Sequence, residues 1–194
     1  MESLSEQEII SRVLSGNTRS FADLVERHKD KAMTLAMRML RNREEAEEAV
    51  QDAFVRAFNA LGQFEKRSTF STWLYRILFN VCSTILSKRG EPVQSISSEK
   101  NGSEAEDEIP DFGDIPDLIV EGEEFRRQVI EALNELPPLY SGIATMFYID
   151  DLSYEEIVTI TGSPLGTVKA RLFRARALLR DGIVRRIGTE ELAR

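Results

Sequence analysis

The feature that most constrains the fold is an acidic, proline-interrupted segment near the middle of the chain. Residues 91–124 contain 12 acidic residues and one basic residue, a net charge of −11, and Pro92, Pro110 and Pro116 interrupt any helical pattern. Such a composition buries too little apolar surface to offset the conformational entropy that is lost on ordering. We therefore expect residues 91–120 to be a flexible acidic linker with a folded unit on either side.

The acidic segment also accounts for the charge of the whole chain, which is −8. Residues 1–90 contain 14 basic and 12 acidic residues, and residues 125–194 contain 10 basic and 9 acidic residues, so both flanks are weakly basic. Hydrophobic residues make up 42% of the chain, which is enough for two modest cores. The overall acidity therefore does not exclude nucleic acid as a partner of the flanks.

Composition excludes several classes of protein. No run of about 18 apolar residues occurs, so we expect no membrane insertion. The polar N-terminus does not resemble a signal peptide, and Cys82 is the only cysteine, which favours a reducing cytoplasm. We expect Cys82 to be a small packed residue and His28, the only histidine, to be a partly buried surface residue.

The sequence does not indicate enzymatic chemistry. One histidine and one cysteine cannot supply the usual metal clusters, so no metal and no cofactor is expected. The chain shows no strand-like alternation that a glycine-rich phosphate loop would follow, and no base accompanies Cys82 as a nucleophile. The acidic pairs of the linker are too flexible to hold general acid–base geometry. We therefore expect a binding protein rather than an enzyme.

The rest of the chain has the periodicity of amphipathic helices. Ser5 and Glu8 form a capping box that opens a first helix. Ser20 and Asp23 resemble a second capping box, which opens a helix to about Asn42. Further helices are predicted over residues 44–61, 72–88, 119–136 and 139–149. The sequence therefore predicts an all-α protein with two small helical domains.

A helix–turn–helix is predicted over residues 153–182, as two short helices with a tight turn between them. Ser153 and Glu156 form a capping box for the first helix, and Gly162 supplies the permissive backbone that ends it. Ser163 and Pro164 then start the second helix as its N-cap and first helical residue.

The two faces of that second helix differ in character. An apolar stripe at three- and four-residue steps consists of Leu165, Val168, Leu172, Ala175 and Leu179. The opposite face presents Ala170, Phe173, Arg174 and Ala177, with Lys169, Arg171, Arg176 and Arg180 on its flanks. An outward ring among arginines suits duplex DNA, because arginine binds phosphates and guanine while a ring contacts a thymine methyl. The alternative interpretation is an ordinary solvated helix of a bundle.

Aromatic and basic residues are interleaved in the predicted loop over residues 62–71 and the helix after it. The aromatic residues are Phe64, Phe70, Trp73, Tyr75 and Phe79, and the basic residues are Lys66, Arg67, Arg76, Lys88 and Arg89. This combination suits single-stranded nucleic acid, whose bases stack on rings while cations follow the phosphates. The same rings would alternatively fill the core of a small bundle. We expect Trp73 to be mainly core and Phe64 or Phe70 to lie nearer the surface.

Three motifs, in this order, resemble a known family. They are EAEEAVQDAF at residues 45–54, TWLYRI at 72–77 followed by Asn80, and LSYEEI at 152–157 followed by GTVKAR at 166–171. Together they resemble the extracytoplasmic-function (group IV) sigma factors of bacterial RNA polymerase, over nearly the whole chain. The resemblance implies sigma domain two over residues 1–90, the acidic linker over 91–120 and sigma domain four, with the helix–turn–helix, over 121–194.

The resemblance implies an alternative sigma factor that binds core RNA polymerase, recognises −35 and −10 promoter elements and aids promoter melting. Domain two would dock on the clamp coiled coil of the largest polymerase subunit, and domain four on the flap. The implied core-binding residues are Glu48, Gln51, Asp52, Val55 and Arg56. Relatives are commonly held inactive by an anti-sigma factor, which is therefore a further expected partner.

Promoter DNA would be bound in both duplex and single-stranded form. The residues implied for the duplex −35 element are Thr167, Lys169, Ala170, Arg171, Phe173, Arg174 and Arg176. The residues implied for the unwound −10 element are Phe64, Lys66, Arg67, Ser68, Thr69, Phe70, Trp73, Arg76 and Asn80. Phe147 stands where many relatives carry an arginine aimed at DNA, so no DNA contact is assigned to it.

Two other functions remain open on the residues alone. A stand-alone dimeric helix–turn–helix regulator would bind operator DNA without polymerase. A regulatory interaction module would use the helices and the acidic segment to bind protein partners, and its DNA contacts would be incidental.

Overall fold

The computed structural model describes residues 4–65, 67–90 and 123–192, with side chains over 4–65, 67–90 and 127–186. The predicted linker and Lys66 lie outside the described residues. Regular secondary structure in the described ranges is helical throughout, which confirms the all-α expectation. The helices are α1 (Glu6–Leu14), α2 (Phe21–Leu40), α3 (Arg43–Ala60), α4 (Phe70–Lys88), α5 (Glu123–Glu135), α6 (Pro138–Tyr148), α7 (Tyr154–Thr161) and α8 (Leu165–Leu192).

The chain divides into two compact units, one that holds α1 to α4 and one that holds α5, α6, α8 and most of α7. In the first unit α2, α3 and α4 pack against one another, and α1 packs against α2. Each long helix contributes an apolar stripe to the shared core, as amphipathic helices do. Leu35 of α2, Ala53 of α3 and Leu78 of α4 are among its buried side chains.

Local chemistry sets most helix ends in this unit. The capping box of Ser5 and Glu8 is present at the start of α1, as predicted. Arg41 ends α2 in a left-handed conformation with φ 54°. Asn42 then accepts the Glu45 amide N–H at 3.1 Å, so α3 begins at once. A side-chain oxygen in this position satisfies an amide that the helix itself leaves unpaired.

The capping box predicted at Ser20 does not form. Residues Thr18–Ser20 make a 3₁₀ turn that leads directly into α2, and the Ser20 side chain makes no capping hydrogen bond. An N-cap residue needs an extended backbone to aim its hydroxyl at the first turn. Ser20 has helical angles instead, with φ −63° and ψ −16°. The prediction at this position is therefore wrong.

The second unit is organised around α8. Helices α5 and α6 both pack on it and also contact each other. The core cluster consists of Leu133, Leu136, Tyr140, Ala144 and Ala175. Pro138 is the first residue of α6, a position where a missing amide N–H costs nothing.

The last helix is longer than the sequence suggests. The predicted helix–turn–helix ends at Gly182, whereas α8 continues through Gly182 to Leu192. Gly182 is buried against α5, where a Cβ built on it would make an ordinary contact with the Ala132 Cβ at 3.4 Å. One turn later, Arg186 Nη1 pairs with Glu131 Oε2 at 2.9 Å, and Arg186 also pairs with Glu135. These contacts fasten the far half of α8 to α5.

Candidate nucleic-acid and protein interfaces

The helix–turn–helix forms, although α8 begins at Leu165, one residue later than predicted, so Pro164 rather than Ser163 occupies the N-cap position. The Ser153 amide donates to Glu156 Oε2 at 3.0 Å, and the Glu156 amide donates to Ser153 Oγ at 3.2 Å, which confirms the capping box at the start of α7. Gly162 has φ +65°, a left-handed value that favours glycine at a helix end. The first hydrogen bond of α8 runs from the Val168 N–H to the Pro164 carbonyl at 3.0 Å.

Six predicted DNA-binding residues lie together on the outward side of α8. We call this surface the α8 face, and it consists of exposed Ala170, Phe173 and Arg174 and half-buried Thr167, Lys169 and Arg176. Phe173 is 52% exposed, although burying a phenylalanine is strongly favourable. The buried side of the helix is formed by Val168, Leu172 and Ala175. Leu165 was predicted in that stripe but is 42% exposed, because it is the first residue of the helix and precedes the packed part.

Arg171 does not belong to the α8 face, and the prediction that it contacts DNA is corrected. Only 7% of this residue is exposed. Its Nη1 donates to Ser163 Oγ in the turn at 3.0 Å. Burial lowers the pKa of the Arg171 guanidinium, and nearby Tyr140 opposes that shift. Arg171 therefore ties the start of α8 to the turn rather than facing a ligand.

An aromatic group that sequence reasoning did not assign lies beside the α8 face. The rings of Phe147 and Tyr154 are 5.0 Å apart between centroids, with an interplanar angle of 32°. Lys169 Nζ lies 5.8 Å from the Tyr154 ring centroid, within cation–π range. Burial raises the pKa of the adjacent Tyr148, while the charge of Arg176 lowers it. The only signal in the sequence is the occurrence of aromatic residues at the end of α6 and the start of α7.

The aromatic residues of the first unit form a second cluster. Phe64 and Trp73 are half-buried, with ring centroids 5.1 Å apart at 43°. Phe70 is only 2% exposed, and its ring lies 6.1 Å from Phe64 and 5.8 Å from Trp73. Of the two phenylalanines expected near the surface, Phe64 alone lies there. Phe70 is placed beneath the pair, so its predicted direct contact with a base is corrected to a supporting one.

Polar residues extend this cluster along the chain. Trp73, Arg76 and Asn80 are spaced to share one side of α4, and the latter two are exposed. Together with Phe64, Arg67 and Ser68 they form what we call the α4 surface. Thr69 instead caps α4, since its side chain accepts the Thr72 amide N–H at 3.1 Å. Its hydroxyl is also within 2.9 Å of Ser71 Oγ and 2.8 Å of Thr72 Oγ1.

His28 lies behind the same cluster and is 9% exposed. Its Nε2 is 2.6 Å from Glu6 Oε1, and its ring centroid is 5.3 Å from that of Phe70. Cys82 is buried, and burial raises the pKa of its thiol to about 12. The part of the chain that the structure describes contains no group of three or more His, Cys, Asp or Glu residues placed to hold a metal ion.

The residues predicted to bind polymerase lie together on α3. This α3 face consists of exposed Glu48, Gln51, Val55 and Arg56 and half-buried Asp52. Arg56 and Asp52 make two contacts, Nε to Oδ1 at 2.9 Å and Nη2 to Oδ2 at 2.8 Å. The hydrogen bond to Asp52 raises the pKa of Arg56. Val55 is 53% exposed, so an apolar side chain stands beside an ordered ion pair.

An open apolar groove of about 640 Å³ adjoins the α3 face, between α2 and α3. Its apolar lining includes Phe21, Val25, Met33, Val50, Phe54, Val55 and Phe58. Within the described ranges, no helix is both long enough and apolar enough to cross a bilayer.

Both halves of the chain match described protein families. The family Sigma-70 region 2 matches residues 24–91, and the family Sigma-70, region 4 matches residues 126–179. The first match covers the α3 face and the α4 surface, and the second covers the α8 face.

Individual proteins give the same result. The chain is 37% identical over 174 residues to the ECF RNA polymerase sigma factor SigW of Bacillus subtilis (strain 168), covering 88% of this chain and 92% of that one. It is 34% identical over 180 residues to the ECF RNA polymerase sigma-E factor of Escherichia coli (strain K12), covering 90% and 92%. A solved structure of the sigma factor RpoE from Bartonella quintana, in complex with the anti-sigma factor NepR, has a TM-score of 0.60 and 25% identity, covering 85% of this chain and 97% of that one. The resemblance found in the sequence is thereby confirmed, and the chain belongs to the ECF (extracytoplasmic-function) sigma factors of RNA polymerase, the factors that direct the initiation of transcription.

Proposed function

We propose that this sigma factor reads a −35 element with the α8 face and holds an unwound −10 element on the α4 surface. The observation that carries the proposal is the exposed ring of Phe173 beside the exposed side chains of Ala170 and Arg174. A helix of this kind enters the major groove, where small and apolar side chains meet thymine methyls and arginine pairs with guanine. Lys169 and Arg176 flank it, where cations suit the phosphates.

The −10 assignment is supported by ring packing. Pulling a base out of the duplex stack costs a free energy of a few kcal/mol. Aromatic stacking and pocket contacts must offset this cost. Phe64 and Trp73 offer half-exposed rings, and buried Phe70 holds them from below. Arg76 and Asn80 lie on the same side of α4, where a cation and an amide suit phosphates and base edges. The α4 surface is thus suited to single-stranded DNA.

The polymerase assignment is supported by the make-up of the α3 face. Protein interfaces concentrate binding energy in a few central side chains, with polar groups around them. Val55 supplies an exposed apolar centre, and the Asp52–Arg56 ion pair is already formed in the isolated chain. We assign the α3 face as the surface that binds the clamp coiled coil of the largest subunit of core RNA polymerase. We assign the second unit as the part that binds the flap.

Two further assignments follow from the family. The solved relative RpoE is a complex with an anti-sigma factor, which supports an anti-sigma protein as a partner of this chain as well. We also assign this chain to the cytoplasm, the compartment of the RNA polymerase that it is proposed to bind.

The test is run-off transcription on a library of promoters, with and without core polymerase, accompanied by a gel-shift assay. We expect promoter-specific transcripts and a specific shift only when core polymerase is present. Tight, specific binding of duplex DNA by the purified chain alone would instead support a stand-alone helix–turn–helix regulator. Binding to core polymerase without any promoter preference would support a protein-interaction module.

A further inference from the structure

Lys169 places a cation at the edge of the α8 face. Lysine has a long, flexible stem, and an ordered contact with DNA costs the freedom of that stem. A contact that already holds the side chain in the free protein reduces this cost. Lys169 is half-buried, and its Nζ lies 5.8 Å from the centroid of the Tyr154 ring. The ring face is the negative part of the quadrupole and attracts the ammonium group.

The Tyr154 ring is itself held from two sides. It is the first residue of α7 and lies between Ser153 and Glu156, the two residues of the capping box. Its ring packs against that of Phe147 with a tilt of 32°, and the two centroids are 5.0 Å apart. Phe147 in turn meets Tyr148 edge-on, with an interplanar angle of 84°. Three aromatic rings from α6 and α7 therefore form a fixed support beside the recognition helix.

We propose that Tyr154 is a positioning residue for the DNA contact of Lys169, with Phe147 as the support of its ring. The inference rests on the proposed function, because it requires the α8 face to meet DNA. Phe147 and Tyr154 need not touch DNA themselves. Their role is to hold the ammonium group of Lys169 at the edge of the face before the promoter arrives.

The first experiment needs no DNA. In the full-length protein, carbon–proton NMR correlation of Lys169 reports its εCH₂ group, whose protons shift upfield when they lie over an aromatic ring. We expect an upfield position in the wild type and in Tyr154→Phe, which keeps the ring. We expect the ordinary lysine position in Tyr154→Leu. An ordinary position in the wild type overturns the proposal, whether or not Tyr154→Leu folds.

The second experiment is a double-mutant cycle in run-off transcription with core polymerase, at limiting holoenzyme concentration. The variants are Tyr154→Leu, Lys169→Met and the double variant, with Tyr154→Phe as the matched control. We expect Tyr154→Leu to lower transcription roughly two- to fivefold in the wild-type background. It should lower transcription less than twofold further when Lys169→Met is present, and Tyr154→Phe should match the wild type.

The outcomes separate the inference from the proposed function. An equal loss from Tyr154→Leu in both backgrounds means that the ring acts independently of Lys169, which overturns the positioning role only. If Tyr154→Phe loses as much transcription as Tyr154→Leu, the effect belongs to the hydroxyl and not to the ring. That result also overturns the positioning role. Wild-type transcription that ignores the −35 sequence overturns the proposed function, and with it any role for Lys169 at DNA.

Discussion

Arg171 and Arg174 stand three residues apart on α8 and have opposite surroundings. Arg171 is 7% exposed and donates to Ser163 in the turn, whereas Arg174 is exposed. At about 100° per residue, Arg171 lies roughly 60° from buried Val168, and Arg174 lies roughly 120° from it. Two arginines of one motif thus have separate tasks, one within the fold and one at its surface.

Replacing Arg174 by Ala should therefore reduce discrimination at one position of the −35 element by about 1–3 kcal/mol, because a bidentate contact with a guanine would be lost. Run-off transcription on promoters with single −35 substitutions measures this. The matched control is Arg180→Ala, another exposed arginine of α8, which pairs with Asp181 and lies outside the α8 face. An equal loss on every promoter sequence would assign Arg174 to a phosphate instead.

Replacing Asp52 by Ala should weaken binding to core polymerase by about 1 kcal/mol or more, roughly fivefold, because it removes an ordered charge from the α3 face. The fold should be unaffected, since an exposed ion pair contributes little to stability. Titration of core polymerase with labelled protein measures the affinity. Glu26→Ala is the control, as it breaks a comparable exposed pair, with Lys29, on α2. Unchanged affinity in Asp52→Ala would remove this residue from the interface.

The start of α7 determines where the α8 face lies, because only a short turn joins the two helices. The capping box of Ser153 and Glu156 satisfies amides that the first turn of α7 leaves unpaired. The same kind of box opens α1 through Ser5 and Glu8. The chain therefore contains two matched capping boxes in separate units.

Substituting Ser153 by Ala should lower the free energy of unfolding of the second unit by about 1 kcal/mol, a typical cost for losing an N-cap. Ser5→Ala should cost about the same in the first unit. Thermal and denaturant unfolding measure both. We expect Ser153→Ala alone to weaken −35-dependent transcription as well, since it loosens the helix that carries Tyr154. If Ser5→Ala also loses −35 dependence, a change in the first unit affects the second, which would contradict the assignment of −35 recognition to the second unit alone.

The sequence predicts those elements whose ends depend on nearby residues. The boxes at Ser5 and Ser153 and the left-handed Gly162 follow from side chains within one turn of each helix end. Two predictions of helix ends, at Ser20 and Gly182, are wrong. Ser20 has helical angles within a 3₁₀ turn, and Gly182 lies inside a helix that packs on α5.

The candidate site likewise combines positions that local sequence predicts with positions that depend on other parts of the fold. The outward positions of Ala170, Phe173 and Arg174 follow from helical periodicity alone. The burial of Arg171 depends on the turn and on Tyr140 of α6, and the burial of Phe70 depends on neighbouring rings. Neither environment can be read from spacing along one helix.

The molecule as a whole carries each proposed DNA surface on a unit with its own core. The α4 surface belongs to the unit of α1 to α4, and the α8 face belongs to the unit that contains α5, α6 and α8. Both flanks of the acidic segment are weakly basic, although the chain carries a net charge of −8. Promoter recognition should therefore require two separate DNA sites that are bound at once.

Inserting five base pairs between the −35 and −10 elements should reduce transcription more than tenfold, because it rotates one site by about half a turn of the duplex. Run-off transcription measures the change. A spacer of the original length with scrambled sequence should retain activity. If the lengthened promoter works as well as the original, only one of the two surfaces reads DNA.

The length of α8 has a mechanical consequence. At about 1.5 Å per residue, its 28 residues form a rod of roughly 42 Å, with Phe173 near one end and the anchors Gly182 and Arg186 towards the other. Contacts with α5 hold the far half of this rod, and the burial of Val168, Leu172 and Ala175 holds the half that carries Phe173. Loss of the Arg186 pairs with Glu131 and Glu135 should therefore loosen only the far half of α8 and leave the half that carries Phe173 in place.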